Sequence, residues 1–148
     1  MTGADILQII TAFIGSLGFA LLYNIRGKKL IIAAIGGLIS WGLFIVFGWF
    51  IADEAIRYFI VALLLSLYAE IMARILKTPT TTFIITSLIP LIPGSSLYYT
   101  MAYAFRSDSQ NFIINGLNTL RLAGALALGI IFATALSGIL NKASKTKN

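Results

Sequence analysis

Cysteine and histidine are absent from the 148 residues, and charge is scarce: eleven basic and five acidic side chains. Without thiols and imidazoles there is no zinc site built on them, no haem ligation by them and no thiol chemistry, and the sequence calls for no metal or cofactor. The missing cysteines leave the compartment open, because a bundle embedded in lipid needs no disulfides. The low charge excludes more, since a soluble domain of this length needs more than 11% charged residues to cover its surface. Long polar stretches are also missing. The gaps between apolar blocks are a few residues each, too short for an extramembrane active site, and the chain reads as one integral membrane domain over 1–148.

What is present is apolar: 59% of residues are hydrophobic and the mean hydropathy is +0.94. A helix needs roughly 20 apolar residues to cross a hydrocarbon core of about 30 Å. Five segments qualify: 6–23, 30–51, 56–76, 80–105 and 112–140. The expected fold is an all-α, polytopic membrane helix bundle with five transmembrane segments. The fourth is broken between Pro90 and Gly94, because each proline removes a backbone donor and clashes with the preceding turn. A re-entrant loop is the alternative for that segment.

Basic residues in short loops are retained on the cytoplasmic side. Arg26, Lys28 and Lys29 follow the first segment, Arg74 and Lys77 end the third, and Lys142, Lys145 and Lys147 follow the fifth. The other gaps hold Arg57 and Arg106 beside Asp53, Glu54 and Asp108, with Asp5 near the start. This asymmetry predicts a multi-pass protein of the cell membrane with its N-terminus outside and its C-terminus in the cytoplasm. It also predicts an odd number of crossings. The first apolar stretch has an acidic rather than a basic start, which argues against a cleaved signal peptide. The net charge of +6 follows from topology and anionic lipid, with no nucleic acid implied.

Helices in lipid gain little from hydrophobic exclusion and associate where small residues let backbones approach. Ala125, Gly129, Ala133 and Ser137 form such a seam in the fifth segment, and Ala12, Ser16 and Ala20 one in the first. The second segment has two, Ala33 with Gly37 and Gly36 with Ser40. Internal packing is the reading preferred over contact between subunits. Five short helices enclose little aqueous space, so a homo- or hetero-oligomer is expected.

Ionisable groups inside spans are costly and face a partner or water. Arg121 lies nine residues past Phe112, about 13.5 Å along a helix, near the expected midplane. Asn115 and Asn118 lead to it at three-residue spacing. It either neutralises an anionic substrate group through its planar fork or forms a structural ion pair. Ser66, Glu70 and Arg74 share a face at four-residue spacing. Glu70 is either the local partner of Arg74 or a carboxylate that loads and releases a proton in a proton-coupled carrier.

The fourth segment is the most specific. After Pro90, Pro93 and Gly94, the serines Ser95 and Ser96 suit the N-cap of a second half-helix. A helix N-terminus within the membrane is an anion site used by carriers with discontinuous helices, and Tyr98, Tyr99, Thr100 and Tyr103 are placed to line a path beyond it. A proline kink satisfied by neighbouring helices is the plainer reading. Arg121 and the Gly94–Ser96 terminus are expected to reach one carboxylate.

The run LKTPTTTFIITSLIPLIPGSSLYYTMAY (76–103), with its P-x-x-P-G centre followed by Tyr98, resembles the threonine/serine exporter family. The segment LGFALLYNIRGK (17–28), with Asn24 before the basic loop, fits it too. The likeness is to the small membrane domain that stands alone as the lesser subunit of two-component exporters. It implies export of threonine and serine, or of dicarboxylates such as succinate, driven by the membrane potential or a proton gradient, with a larger partner subunit matching the family's N-terminal half. The rival classes are a scaffolding membrane subunit without its own substrate site and, last, an intramembrane enzyme. For the enzyme, Glu70 has no catalytic partner and no serine a recognisable base.

Overall fold

The computed structural model describes residues 2–145, with side chains through Ile139. Lys147 lies outside the described residues, as do the side chains of Lys142 and Lys145. Six helices follow one another: α1 (Gly3–Leu22), α2 (Lys28–Gly48), α3 (Glu54–Ile75), α4 (Thr81–Leu88), α5 (Gly94–Phe105) and α6 (Ser109–Lys145). A single 3-10 turn, Ile89–Leu91, joins α4 to α5. α1, α2, α3 and α6 are each long and apolar enough to cross a membrane, and α4 with α5 forms a fifth segment bent by 61°.

Polar residues in the gaps set the helix ends. Thr2 and Asp5 form a capping box on α1, Asp53 accepts the Ile56 N–H at the start of α3, and Asp108 accepts the Asn111 N–H at the start of α6. α1, α3 and α5 end alike, each with one residue in the left-handed region: Asn24 (φ 57), Lys77 (φ 48) and Ser107 (φ 56). After each, the next N–H reaches back to the carbonyl of Ala20, Ala73 or Tyr103, which closes the helix and turns the chain. The turns gather Asp5, Asp53 and Glu54 at one end of the bundle and Arg26, Lys28, Lys29, Arg74 and Lys77 at the other.

Packing follows the small residues. α1 seats Ser16 on Gly37, and α4 seats Ser87 on the adjacent Gly36. A Cβ at either glycine would lie 1.9 Å from the serine Oγ. α2 is therefore a wall shared by α1 and α4, and α3 packs on it as well. α3 and α6 run parallel in close contact, with Gly129 against the Phe59 carbonyl and the Ala62 methyl and Ala133 fully buried. The seam 125–137 is thus internal. Phe83 is buried among Ala20, Ala33, Ala69 and Ala73, and Leu91 among Phe44, Tyr58, Val61, Leu65 and Leu122.

The last helix, α6, departs from expectation. It starts at Ser109, not at 112, and its 37 residues extend about 55 Å, well beyond a hydrocarbon core of about 30 Å. Its register on α3 is set by Arg121 beside Asp53 and Ser137 beside Arg74. The twelve residues from Ser109 to Leu120, about 18 Å, therefore lie beyond the start of α3. α5 packs along this overhang.

Candidate functional site

The break in the fourth segment arises from missing donors. Pro90 has no N–H for the Thr86 carbonyl, so the α-helix tightens to one 3-10 turn closed by Ile92 N–H to Ile89 O at 3.2 Å. α5 then begins with Pro93 in the N-cap position and no side-chain cap. Ser95 and Ser96, expected as caps, are instead the second and third residues of α5. Pro93, with its preset φ, occupies the cap, and Ser96 turns to α6. Its Oγ lies 2.7 Å from Thr119 Oγ1, and Thr100 Oγ1 lies 3.2 Å from the same atom. A hydroxyl cluster thus fastens α5 to α6.

The turn is covered on one side only. Leu91 and Pro93 are buried, whereas Ile92, Gly94 and Ser95 are exposed. The cause is the departure of α5 from α2 and α3 toward the overhang of α6. Tyr98 is 66% exposed and stacks edge-on against Tyr99, so it faces away from the bundle. Asn118 is half-buried on α6.

Arg121 lies level with the start of α3. Its guanidinium pairs with the carboxylate of Asp53, beside a cavity of about 380 Å³ lined also by Ala55, Ile56, Phe59 and Ala125. The Ile56 N–H, and then the Arg121 charge, hold the Asp53 carboxyl below its ordinary range. Two residues along α6, Thr119 faces α5, so Arg121 and the start of α5 are served by different faces of one helix. Arg121 is engaged by Asp53, and Ser96 of α5 by Thr119.

Glu70 meets Arg74 at 3.3 Å, and Glu70 is the more covered of the two, its side chain 19% exposed against 48%. Arg74 also donates to Ser137 Oγ at 2.5 Å, which ties the pair to α6. Arg57, counted in the sequence as a loop charge, lies inside α3 with its guanidinium 4.8 Å from the Phe44 ring centroid.

A largely apolar cleft with a few polar groups, which the sequence reading missed, opens on the other side of the break. It has a volume of about 270 Å³ and lies between α1, α2 and the proline turn, lined by Gln8, Thr11, Ser16, Trp41, Ile89 and Pro90. Trp41 Nε1 donates to Gln8 Oε1 at 3.2 Å, and Thr11 Oγ1 donates to the Gln8 carbonyl at 2.9 Å. The signal in the sequence was Gln8 and Thr11 at helical spacing in an otherwise apolar block, with no mark to join them to residues eighty positions away.

The sequence matches the family described as Threonine/Serine exporter, ThrE, over residues 8–136. No curated protein matches the chain, and no solved structure does.

Proposed function

The chain belongs to the threonine/serine exporter family, and on that premise we propose that it is the smaller membrane subunit of a secondary transporter that exports threonine and serine. In this reading it works with a larger partner subunit and draws on the proton gradient. The observation that carries the proposal is the fourth segment, bent by 61° with a cleft directly against Pro90. Irregular backbone at membrane depth is tolerated where it is covered by protein or lines a cavity, and carriers bind at such breaks. The exposed side of the turn, Ile92 to Ser95, is the place for the partner subunit.

The competing reading, a scaffolding subunit without its own substrate site, draws on the pairing of Arg121 with Asp53 and of Glu70 with Arg74, polar groups that satisfy one another. Release of threonine and serine from preloaded cells, with and without the chain and its genomic neighbour, separates the two. Loss of release on deleting the chain, restored by the intact sequence but not by one in which Pro90, Pro93 and Gly94 are replaced by alanine, supports the exporter. Release that persists without the chain overturns it.

A further inference from the structure

We propose that the cavity between the end of α1 and the start of α4 holds one anionic phospholipid, its headgroup at the basic end of the bundle and an acyl chain along the line between the two helices. The lipid site is independent of whichever solute the chain carries. The cavity has a volume of about 200 Å³ and is lined by Tyr23, Ile25, Thr81, Thr82 and Ile85. The turn after α1 builds it. Asn24 takes the left-handed region, and Ile25 then enters the cluster of Ala20, Ala33, Ala73 and Phe83, which fixes the turn against α4.

The first support is charge. Arg26 adjoins Ile25, Lys28 opens α2, and Lys77 stands four residues before Thr81, all three exposed. The ion pairs among the described residues are Glu70 with Arg74 and Asp53 with Arg121, so these three cations have no carboxylate partner there. Arg26 donates its Nε to Asn24 Oδ1 at 2.9 Å, which orients the guanidinium and leaves its two terminal nitrogens for another acceptor. Cations gathered at one end of a membrane bundle attract anionic headgroups.

The second support is the set of hydroxyls. Thr78 and Thr86 turn theirs back to the carbonyls of Leu76 and Thr82. Tyr23, Thr81 and Thr82, all on the cavity wall, spend theirs on no group among the described residues. Three hydroxyl donors around one cavity suit phosphate oxygens, and a hydrogen bond to a charged acceptor is about twice as strong as a neutral one.

The third support selects a lipid over a free anion. Ile25 and Ile85 give the cavity an apolar side, and Leu21, Leu22 and Ile85 are exposed around it. Ile89, one turn past Ile85, and Gly15, two turns before Tyr23, line the cleft at the proline turn. The two cavities therefore lie along one line between α1 and α4, about 10 Å of helix from Thr82 to Ile89. An acyl chain packs along that line, and a soluble phosphate ester covers none of it.

The test follows lipid retained by the full chain in detergent, by native mass spectrometry. Phosphatidylglycerol and phosphatidylcholine with the same palmitoyl and oleoyl chains are added in turn, with excess sn-glycerol 3-phosphate as the soluble competitor. One phosphatidylglycerol per chain should be retained about tenfold more strongly than phosphatidylcholine, and glycerol phosphate should not displace it. Thr81→Val with Thr82→Val leaves every charge in place, so a diffuse attraction would not change, yet retention should fall about tenfold, the scale of one hydrogen bond to a charged group. Ile85→Trp, at an exposed position, should obstruct the acyl chain and lower retention by a similar factor. Melting of each variant in phosphatidylcholine reports its fold, and where the double threonine variant fails to fold Ile85→Trp decides. Equal retention of the two lipids, displacement by glycerol phosphate, or undiminished retention in the folded variants overturns the proposal.

Discussion

Glu70 and Asp53 are both carboxylates held by an arginine, and the setting of each pair decides what the residue is free to do. The Glu70 pair is one turn long within α3 and its arginine is half-exposed, so it contributes little to stability, in the range of about 0–1 kcal/mol. Glu70→Gln is therefore expected to leave folding intact. If Glu70 carries the coupling proton, the variant loses export driven by a pH gradient yet keeps exchange of internal for external threonine. Normal gradient-driven export by the variant between pH 5 and 8 would mark the residue as structural. Asp53 is different, because it caps α3 and also bridges to α6. Its folded-state pKa lies below the ordinary value, so its contribution is complete above about pH 5, a unit over the unfolded value, and is lost as the pH falls through the lowered pKa. Melting of the detergent-solubilised protein should be flat from pH 8 to 5 and then fall. Asp53→Asn, which retains a capping oxygen, should lower the plateau and blunt the acid step. Spacing alone revealed the Glu70–Arg74 pair, since four residues is a helical turn. The Asp53–Arg121 pair was not legible, because its members are 68 residues apart and nothing local joins them.

The helices themselves were largely legible, because apolar block length and capping residues act over a few positions. The break at Pro90 was legible for the same reason, since a proline's missing N–H acts on its own turn. The direction α5 takes afterwards was not, because it depends on Ser96 and Thr100 finding Thr119 across the chain. The close contacts of α2 give the sharpest test at this scale. Gly36→Ala would place a methyl 1.9 Å from Ser87 Oγ and 2.9 Å from its Cβ, so α4 must shift, and overpacking of this kind costs about 1–3 kcal/mol. Ser87→Gly removes both clashing atoms. The double variant should recover part of the lost thermal stability, and a double variant no better than Gly36→Ala would show that α4 does not seat there. The seam in α6 was visible as a pattern of small residues, and its partner α3 became visible only with the register.

For the whole molecule, the charge asymmetry of the loops predicts five crossings with the C-terminus in the cytoplasm. A reporter fused after Asn148 should be active only on the cytoplasmic side, and an external signal would require that α4 and α5 return to the side from which they entered. The class of the fold was legible because composition alone excludes a soluble domain. The candidate site was legible only at the break, since the cleft beside it draws on α1 and α2, whose polar residues carry no local mark of their neighbours. The overhang of α6 has a further consequence. Lipid around α1, α2 and α3 meets helices of 20, 21 and 22 residues, while lipid around α6 meets a much longer apolar surface that includes exposed Phe112, Ile113, Leu117 and Leu120. No uniform bilayer matches both, so the leaflet must stretch on one side of the protein, α6 must lean, or a neighbouring subunit must take the place of lipid there. Each route costs a fraction of a kcal/mol per Å of mismatch. Acyl-chain length thus becomes a control on the protein: export from vesicles should rise as chains lengthen from 14 to about 20 carbons in the absence of a partner, and the dependence should flatten once a subunit covers the long face.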